Sequence, residues 1–153
     1  MSEDMKIEDE IKQAHFKSVY HKGFINLIYT SGWLEVRQMQ RFKPYGITLP
    51  QYNILRILRG QHPKPATVNL LMERMLDKTS NVSRIIDKLE VKKLVTRTQC
   101  ETDRRTVDIL ITDEGLKLLA TIDKELDSQP EEFRNLTEAE AEMLSNLLDK
   151  IRD

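Results

Sequence analysis

Apolar residues recur at three- and four-residue steps along most of this chain, the spacing of an α-helix that buries one face. The first run covers residues 16–42 and contains no proline. At about 1.5 Å per residue such a helix is about 40 Å long, more than a small single core covers with its own surface. We therefore expect part of its apolar side to contact a helix of a second chain.

Capping signals mark where the shorter helices begin. A Thr-x-x-Gln capping box at residues 48–51 opens a second helix, and Thr67 is placed to cap a short third one. Thr79 and Ser80 are the candidate caps of a fourth helix, which follows the third after a tight turn. Two further helices are expected after the caps Thr112 and Thr137.

After the fourth helix the spacing of apolar residues changes from the helical period to a period of two residues, as in a β-strand. Residues 94–98 and 107–111 are rich in β-branched side chains and are separated by a polar stretch, which predicts a hairpin with a charged tip. Helix, turn, helix and hairpin in this order are typical of a winged helix-turn-helix. The expected fold is mainly α with a small β-hairpin (α+β).

Charge is distributed unevenly, although the formal net charge of the 153 residues is only -1. Residues 78–105 hold eight Lys or Arg and four Asp or Glu, whereas residues 108–153 hold five and thirteen. The excess of positive charge thus falls on the fourth helix and the hairpin, which favours a nucleic-acid partner for this part. We interpret the acidic last third as solvated helix surface.

Reading of base edges in the DNA major groove requires hydrogen-bonding side chains on the early turns of the inserted helix. The candidates for this role are Ser80, Asn81, Ser83 and Arg84. Nearby cations and a hydroxyl group are suited to contact DNA phosphates, and such contacts add affinity and fix the register of the protein on the DNA. These backbone candidates are Lys78, Thr79, Lys88, Lys92, Lys93 and Arg97. Ion pairs of Asp87 and Glu90 with cations along the helix are the alternative use of these charges.

The hairpin tip carries the sequence Asp103-Arg104-Arg105. A planar guanidinium group suits a narrow, electronegative minor groove. We expect Asp103 to pair with one arginine and fix its direction, so that the other enters the groove. The alternative is that Arg104 and Arg105 are ordinary loop charges.

Several stretches of the chain together resemble the MarR family of transcriptional regulators. The most diagnostic part is Asp103-Arg104-Arg105 followed by Thr112-Asp-Glu-Gly115, and residues 45–55, 80–90, 94–97 and 110–111 extend the similarity. The resemblance covers residues 16–153. It implies a symmetric homodimer joined by its first and last helices, with a winged domain in each subunit and a near-palindromic site on double-stranded DNA. It also implies that Arg105 enters the minor groove with Asp103 as its partner.

These arguments divide the chain into three parts. Residues 1–15 are expected to be a flexible acidic segment, residues 16–47 and 116–153 the helical dimerisation region, and residues 48–115 the DNA-binding domain. No apolar run reaches the roughly 18 residues of a membrane helix, so we expect a cytoplasmic protein without membrane association. Because a regulator bound at a promoter blocks transcription, we expect it to act mainly as a repressor.

Two features depart from the family pattern. Lys93 stands where the family commonly has a glycine, so the turn into the first wing strand is expected to differ or to place Lys93 in the left-handed region. Cys100, the only cysteine, lies in the wing, whereas peroxide-sensing members carry theirs in the first helix. Neighbouring arginines would favour its thiolate and Glu101 and Asp103 would oppose it, and a passive thiol is the more ordinary interpretation.

Family members often hold a ligand in a crevice between the dimer region and the winged domain. The candidate pocket residues, which core packing would also explain, are Tyr20, His21, Phe24, Trp33 and Tyr52. A small aromatic or phenolic effector is the ligand expected there. The three histidines lack a metal-ligand spacing, so neither a metal nor another cofactor is expected.

The alternative function is a winged-helix module that binds another protein through the acidic carboxyl-terminal region. An enzyme is not expected, since the sequence has no glycine-rich phosphate loop, nucleophile elbow or His-Glu metal pair.

Overall fold

A computed structural model describes residues 5–126 and 130–153 of the chain. Residues 1–4, part of the segment expected to be flexible, and residues 127–129, part of the expected dimerisation region, lie outside this description. The chain divides into two compact units, Met1–Arg41 and Phe42–Asp153. The boundary thus falls at the end of the long helix, and the second unit includes the two carboxyl-terminal helices together with the winged part.

The first unit consists of helix α1 (Ile7–Glu10) and helix α2 (Val19–Phe42) up to Arg41. Ile7 is buried, and Glu8 accepts a hydrogen bond from Lys22 of α2 that holds the pKa of the Glu8 carboxyl below its usual range. Residues 7–10, part of the segment expected to be flexible, thus form a helical turn with an apolar anchor and an ion pair.

The described residues of the second unit form five α-helices after α2. They are α3 (Leu49–Gln61), α4 (Val68–Arg74), α5 (Val82–Val91), α6 (Asp113–Glu125) and α7 (Glu138–Ile151). Short 3₁₀ turns cover Lys43–Tyr45 and Glu131–Phe133. The capping box predicted at residues 48–51 is present, with the N–H of Gln51 donated to Thr48 Oγ1 at 3.3 Å. A second capping box opens α7 at Thr137.

Strands β1 (Ala66–Thr67), β2 (Val95–Gln99) and β3 (Val107–Ile111) form an antiparallel sheet in the order β1-β3-β2. The β2–β3 hairpin is the predicted wing. β1 was not predicted, because two residues are too few to show a period. The mainly α fold with a small sheet, and its winged helix-turn-helix order, are confirmed.

A core of aliphatic side chains joins the sheet to the helices of the second unit. The members that are at most 2% exposed include Ile54, Leu55, Leu58, Leu71, Ile86, Leu89, Val95, Ile109, Leu119 and Ile122. They lie on α3, α4, α5, α6, β2 and β3, so the helix-turn-helix and the base of the wing share one core. Burial of these side chains is the main favourable contribution to the stability of this unit.

Candidate nucleic-acid interface

The turn between α4 and α5 is held by residues that were predicted to contact DNA. Thr79 donates its N–H and its hydroxyl to Asp77 Oδ1, at 2.9 and 2.6 Å, which lowers the pKa of the Asp77 carboxyl. Lys78 donates its ammonium group to the carbonyl oxygens of Met72, at 3.3 Å, and Glu73. These carbonyls end α4 and lack helical partners, so Lys78 caps a helix instead of projecting freely.

Helix α5 is capped by Asn81, which corrects the expectation that Thr79 or Ser80 caps it. Asn81 Oδ1 accepts the N–H of Arg84 at 3.1 Å. An amide oxygen on this extended residue satisfies one of the unpaired N–H groups of the first turn. Ser80 lies ahead of the helix, where its N–H donates to the carbonyl of Asp77 at 3.2 Å.

Buried residues on one side of α5 determine which side chains face outward. Val82, Ile86 and Leu89 are buried, whereas Ser83, Arg84 and Lys88 are exposed. Within residues 5–126 and 130–153, no hydrogen bond or ion pair engages the side chains of Ser83, Arg84 or Lys88. These groups are therefore available to an external ligand.

Arg97 joins the wing to α5. Its guanidinium group forms an ion pair with Asp87 and lies 4.0 Å, Nε to Oε2, from Glu90. Arg97 was predicted to contact a phosphate, and pairing of the two carboxylates with cations along their own helix was the alternative use of these charges. Strand β2 brings Arg97 alongside α5 to pair with them, a proximity that sequence spacing does not reveal. The phosphate contact of Arg97 stays a prediction.

Lys92, another predicted phosphate contact, is also engaged within the fold. It donates to the carbonyl of Gly46 and, at 3.1 Å, to Oε1 of the buried Gln51. Gly46 has a φ of 67°, in the left-handed region that favours glycine. Lys92 therefore connects the end of α5 to the beginning of α3.

Lys93 adopts the left-handed conformation that was one of the two expectations, with a φ of 61°. Its N–H donates to the Glu90 carbonyl at 2.9 Å, and the N–H of Leu94 donates to the Leu89 carbonyl at 3.0 Å. This pair of bonds defines a Schellman motif, which ordinarily has glycine at the position of Lys93. The turn into β2 thus keeps the geometry of the usual motif with a lysine in place of the glycine.

At the wing tip Asp103 orders the backbone. Its Oδ1 accepts the N–H of Arg105 at 3.0 Å, and its carbonyl accepts the N–H of Thr106 at 3.1 Å. Among the described residues, neither the Arg104 nor the Arg105 guanidinium group has a hydrogen bond or ion pair. The expected pairing of Asp103 with an arginine side chain is therefore replaced by a turn that leaves both exposed guanidinium groups available.

Cys100 lies in the wing beside a hydroxyl group. Its Sγ is 3.2 Å from Thr102 Oγ1. Hydrogen bonds lower the pKa of the Cys100 thiol, and the side-chain hydrogen bond with Thr102 makes the largest contribution. The sequence attributed such a shift to neighbouring arginines, whereas the structure attributes it to hydrogen bonding. A shallow concavity of about 440 Å³ is lined by Thr98, Gln99, Cys100, Glu101, Thr102 and Asp108.

The candidate effector residues divide between the two units. Tyr20, Phe24 and Trp33 are exposed on α2, with the Arg37 guanidinium 4.6 Å from the Trp33 ring centre. His21, also on α2, is partly buried. In the second unit Tyr52 stacks on Phe42 with ring centres 4.3 Å apart and accepts a hydrogen bond from Arg56 at 3.0 Å. A shared pocket stays a prediction.

Residues 5–126 and 130–153 contain neither a metal-binding cluster nor a membrane-spanning helix. No cluster of three or more His, Cys, Asp or Glu side chains there has the arrangement to hold a metal ion. None of the helices that the described residues form combines the length and apolar character needed to cross a bilayer.

Known proteins resemble this chain over the region that contains the site. A sequence profile of the MarR family matches residues 45–106. The HTH-type transcriptional regulator MgrA of Staphylococcus aureus is 30% identical over 113 residues, 72% of this chain and 73% of MgrA. The HTH-type transcriptional repressor MdtR of Bacillus subtilis is 34% identical over 82 residues, 54% of this chain and 52% of MdtR.

Solved structures extend the similarity to most of the chain. A MarR transcription factor from Planctomyces limnophilus is 28% identical with a TM-score of 0.64, covering 90% of this chain and 96% of that one. The S. aureus MepR-DNA complex has the same fold at 24% identity with a TM-score of 0.72, covering 90% and 96%. The profile, the relatives and the winged helix-turn-helix together show that this chain belongs to the MarR family of transcriptional regulators.

Proposed function

We propose that the protein is a sequence-specific repressor that binds a near-palindromic operator on double-stranded DNA as a homodimer. In each subunit α5 enters a major groove, about one helical turn of DNA from its counterpart, and the wing reaches the flanking minor groove. A dimer bound in this way occupies a promoter. The name of the MdtR relative, a repressor, supports the sign of regulation.

One observation carries this proposal: the side chains of Ser83 and Arg84 on α5 and the guanidinium groups of Arg104 and Arg105 in the wing have no partner among the described residues. Ser83 and Arg84 are exposed on a helix whose opposite side is buried, and Arg104 and Arg105 are exposed on an ordered turn. Reading of bases in the major groove requires side chains such as Ser83 and Arg84. Insertion into the minor groove requires guanidinium groups such as those of the two wing arginines. Ser80 and Asn81, next to them, complete the proposed base-reading set.

Fewer residues are assigned to DNA phosphates in this proposal than the sequence suggested. Lys88 and Lys93 are exposed cations without an internal partner among residues 5–126 and 130–153, and they are assigned to the DNA backbone. Lys78 and Lys92 are hydrogen-bonded within the fold. Thr79 likewise donates its N–H and its hydroxyl to Asp77 within the fold.

Exposed apolar side chains on two helices support the dimer. On α2 these include Val19, Tyr20, Phe24, Ile28, Val36 and Met39, and on α7 they are Met143, Leu144, Leu147 and Ile151. Apolar surface of this extent on a helix ordinarily packs against a partner chain. The two helices are the proposed dimer contacts.

An effector acts on this dimer by changing how the two winged domains are spaced. Its candidate contacts are those predicted from the sequence, and a small aromatic or phenolic molecule fits their chemistry. They are Tyr20, His21, Phe24 and Trp33 in the first unit and Tyr52 in the second. Such a ligand shifts DNA binding only if it binds the free and DNA-bound arrangements with different affinity.

The test begins with selection of binding sites from a random duplex library by the native chain. Affinity for the selected site is then measured across a salt series for the native protein, Arg84→Ala and Arg105→Ala. Each substitution is expected to weaken binding by about 1–3 kcal/mol, and Arg84→Ala is expected also to relax base preference. Lys117→Ala, which removes an exposed charge on α6, is the matched control and should change affinity little.

Selection of a two-fold symmetric site together with a steep salt dependence supports the proposal. Failure to enrich any sequence over random duplex overturns it and favours the protein-binding module.

A further inference from the structure

The two strands of the wing are anchored unequally. On β3, Ile109 and Ile111 are buried and Val107 packs partly against the core. On β2 the only buried residue is Val95, and Thr96–Gln99 are exposed. With about 3.3 Å of rise per residue, the outer part of β2 extends away from its single apolar anchor. The side chain of Arg97 joins this outer part of β2 to α5.

The contact of Arg97 with α5 involves two carboxylates on adjacent turns. Asp87 and Glu90 are three residues apart and therefore lie on neighbouring positions of one helix face. The guanidinium fork of Arg97 pairs with Asp87 through Nη2 and approaches Glu90 through Nε, at 4.0 Å. Contacts through two different nitrogens restrict the orientation of the strand on the helix more than a single contact does.

The position of these carboxylates bears on DNA binding. Asp87 follows Arg84 by three residues, so it lies one turn along α5 from the proposed base-reading arginine. An unpaired carboxylate there would repel a phosphate, and Arg97 neutralises it. The ion pair therefore lies between the two DNA-contacting elements, the beginning of α5 and the wing tip.

We propose that Arg97 is a positioning residue: through Asp87 and Glu90 it fixes the wing on α5, so that Arg84 and Arg105 engage one operator half-site together. This inference rests on the proposed function and replaces the predicted phosphate contact of Arg97. Exposed ion pairs contribute only about 0–1 kcal/mol to stability, so variants that lack the pair should fold.

A double-mutant cycle tests this positioning. The cost of Arg105→Ala for binding the selected DNA site is measured in the native chain and in the Asp87→Asn, Glu90→Gln background. A loss of about tenfold is expected in the native chain. A wing that is no longer fixed contributes less, so the loss in the second background should fall below about threefold.

Hydroxyl-radical footprinting supplies the readout that a general loss of stability would not change. In the Asp87→Asn, Glu90→Gln variant we expect protection of the flanking minor groove to disappear while protection of the major-groove region remains. Arg59→Ala is the matched control, since it breaks another ion pair between two elements with similar exposure, that of Arg59 on α3 with Asp123 on α6 at 2.6 Å. In that background the Arg105→Ala loss should remain about tenfold.

The possible failures are distinguishable. If the native chain selects no DNA sequence, both the proposed function and this inference are overturned. If the native chain binds its site and the Arg105→Ala loss is the same in all three backgrounds, only the positioning role is overturned. Tighter binding by Asp87→Asn, Glu90→Gln with an unchanged Arg105→Ala loss would instead make Arg97 the phosphate contact that the sequence suggested.

Discussion

Gly115, near the beginning of α6, lies where the chain passes close to the strand that precedes it. A β-carbon at this position would be 2.5 Å from the carbonyl oxygen of Leu94 and 2.6 Å from Cγ1 of Ile111. Thr112 holds the same junction, since its N–H donates to the Leu94 carbonyl at 3.0 Å and its hydroxyl to the Lys93 carbonyl at 2.8 Å. The absence of a side chain at Gly115 therefore permits α6 to pack against the base of the wing.

Gly115→Ala is expected to destabilise the protein by about 1–3 kcal/mol, because backbone and a packed isoleucine must move to accommodate the methyl group. Urea unfolding followed by circular dichroism measures this free energy. Gly60→Ala is the matched control. No atom lies within 4 Å of a β-carbon built at Gly60, so this change should be neutral or stabilising. Equal stability of Gly115→Ala and the native chain would contradict the close packing.

At the residue scale the sequence was least reliable for charged groups. Eight cations between residues 78 and 105 looked equally available, yet Lys78, Lys92 and Arg97 are bound within the fold. Their partners lie 5 to 46 residues away in the chain. No spacing rule for helices or strands identifies such partners, because they depend on how the elements pack.

At the scale of elements, the carboxyl end of α5 determines how the recognition helix continues into the wing. Lys93 holds a left-handed conformation there that costs a residue with a β-carbon about 1–2 kcal/mol. The Schellman hydrogen bonds around it offset part of this cost.

Replacing Lys93 by glycine removes this conformational cost, so Lys93→Gly is expected to raise the free energy of unfolding by about 1 kcal/mol. Lys93→Ala keeps the β-carbon and should not stabilise. Both variants lose the proposed phosphate contact and should lower the salt slope of DNA binding by about 0.9 each. Thermal unfolding and the salt series separate the two effects. A Lys93→Ala protein as stable as Lys93→Gly would show that the left-handed strain is absent.

Elements defined by local signals were predictable. The Thr-x-x-Gln box at residues 48–51, Thr67 and Thr137 cap the helices that they were expected to cap, since capping bonds join residues three apart. The cap of α5 is Asn81 and was predicted one or two residues too early, since Thr79, Ser80 and Asn81 can all cap a helix. In that case the packing of Val82, Ile86 and Leu89 decides where the helix begins.

At the scale of the whole molecule, the exposed apolar edge of α7 bears on assembly. Leu147 is 53% exposed in the single chain, and Met143, Leu144 and Ile151 lie on the same edge. Leu147→Arg is therefore expected to shift the protein from dimer towards monomer, because a charge would have to be buried at the proposed contact. It should also weaken operator binding, since one subunit contacts only half of the site.

Ser145→Arg is the matched control for this prediction. Ser145 is an exposed residue of the same helix off the apolar edge, so the same charge there should leave assembly unchanged. Sedimentation velocity over a concentration series measures the dimer fraction. A Leu147→Arg protein that stays as dimeric as the native chain would exclude α7 from the interface.

The sequence by itself determined the mainly α class, the order of the helix-turn-helix and wing, and the family. Each of these depends on hydrophobic period, capping residues or short motifs, which are local properties of the chain. The tertiary structure decided which side chains remain available. It engages Lys78, Lys92 and Arg97 within the fold, leaves Arg84 and Arg105 without internal partners among the described residues, and requires glycine at position 115. These outcomes depend on distances between elements far apart in sequence, which the packing of the core fixes.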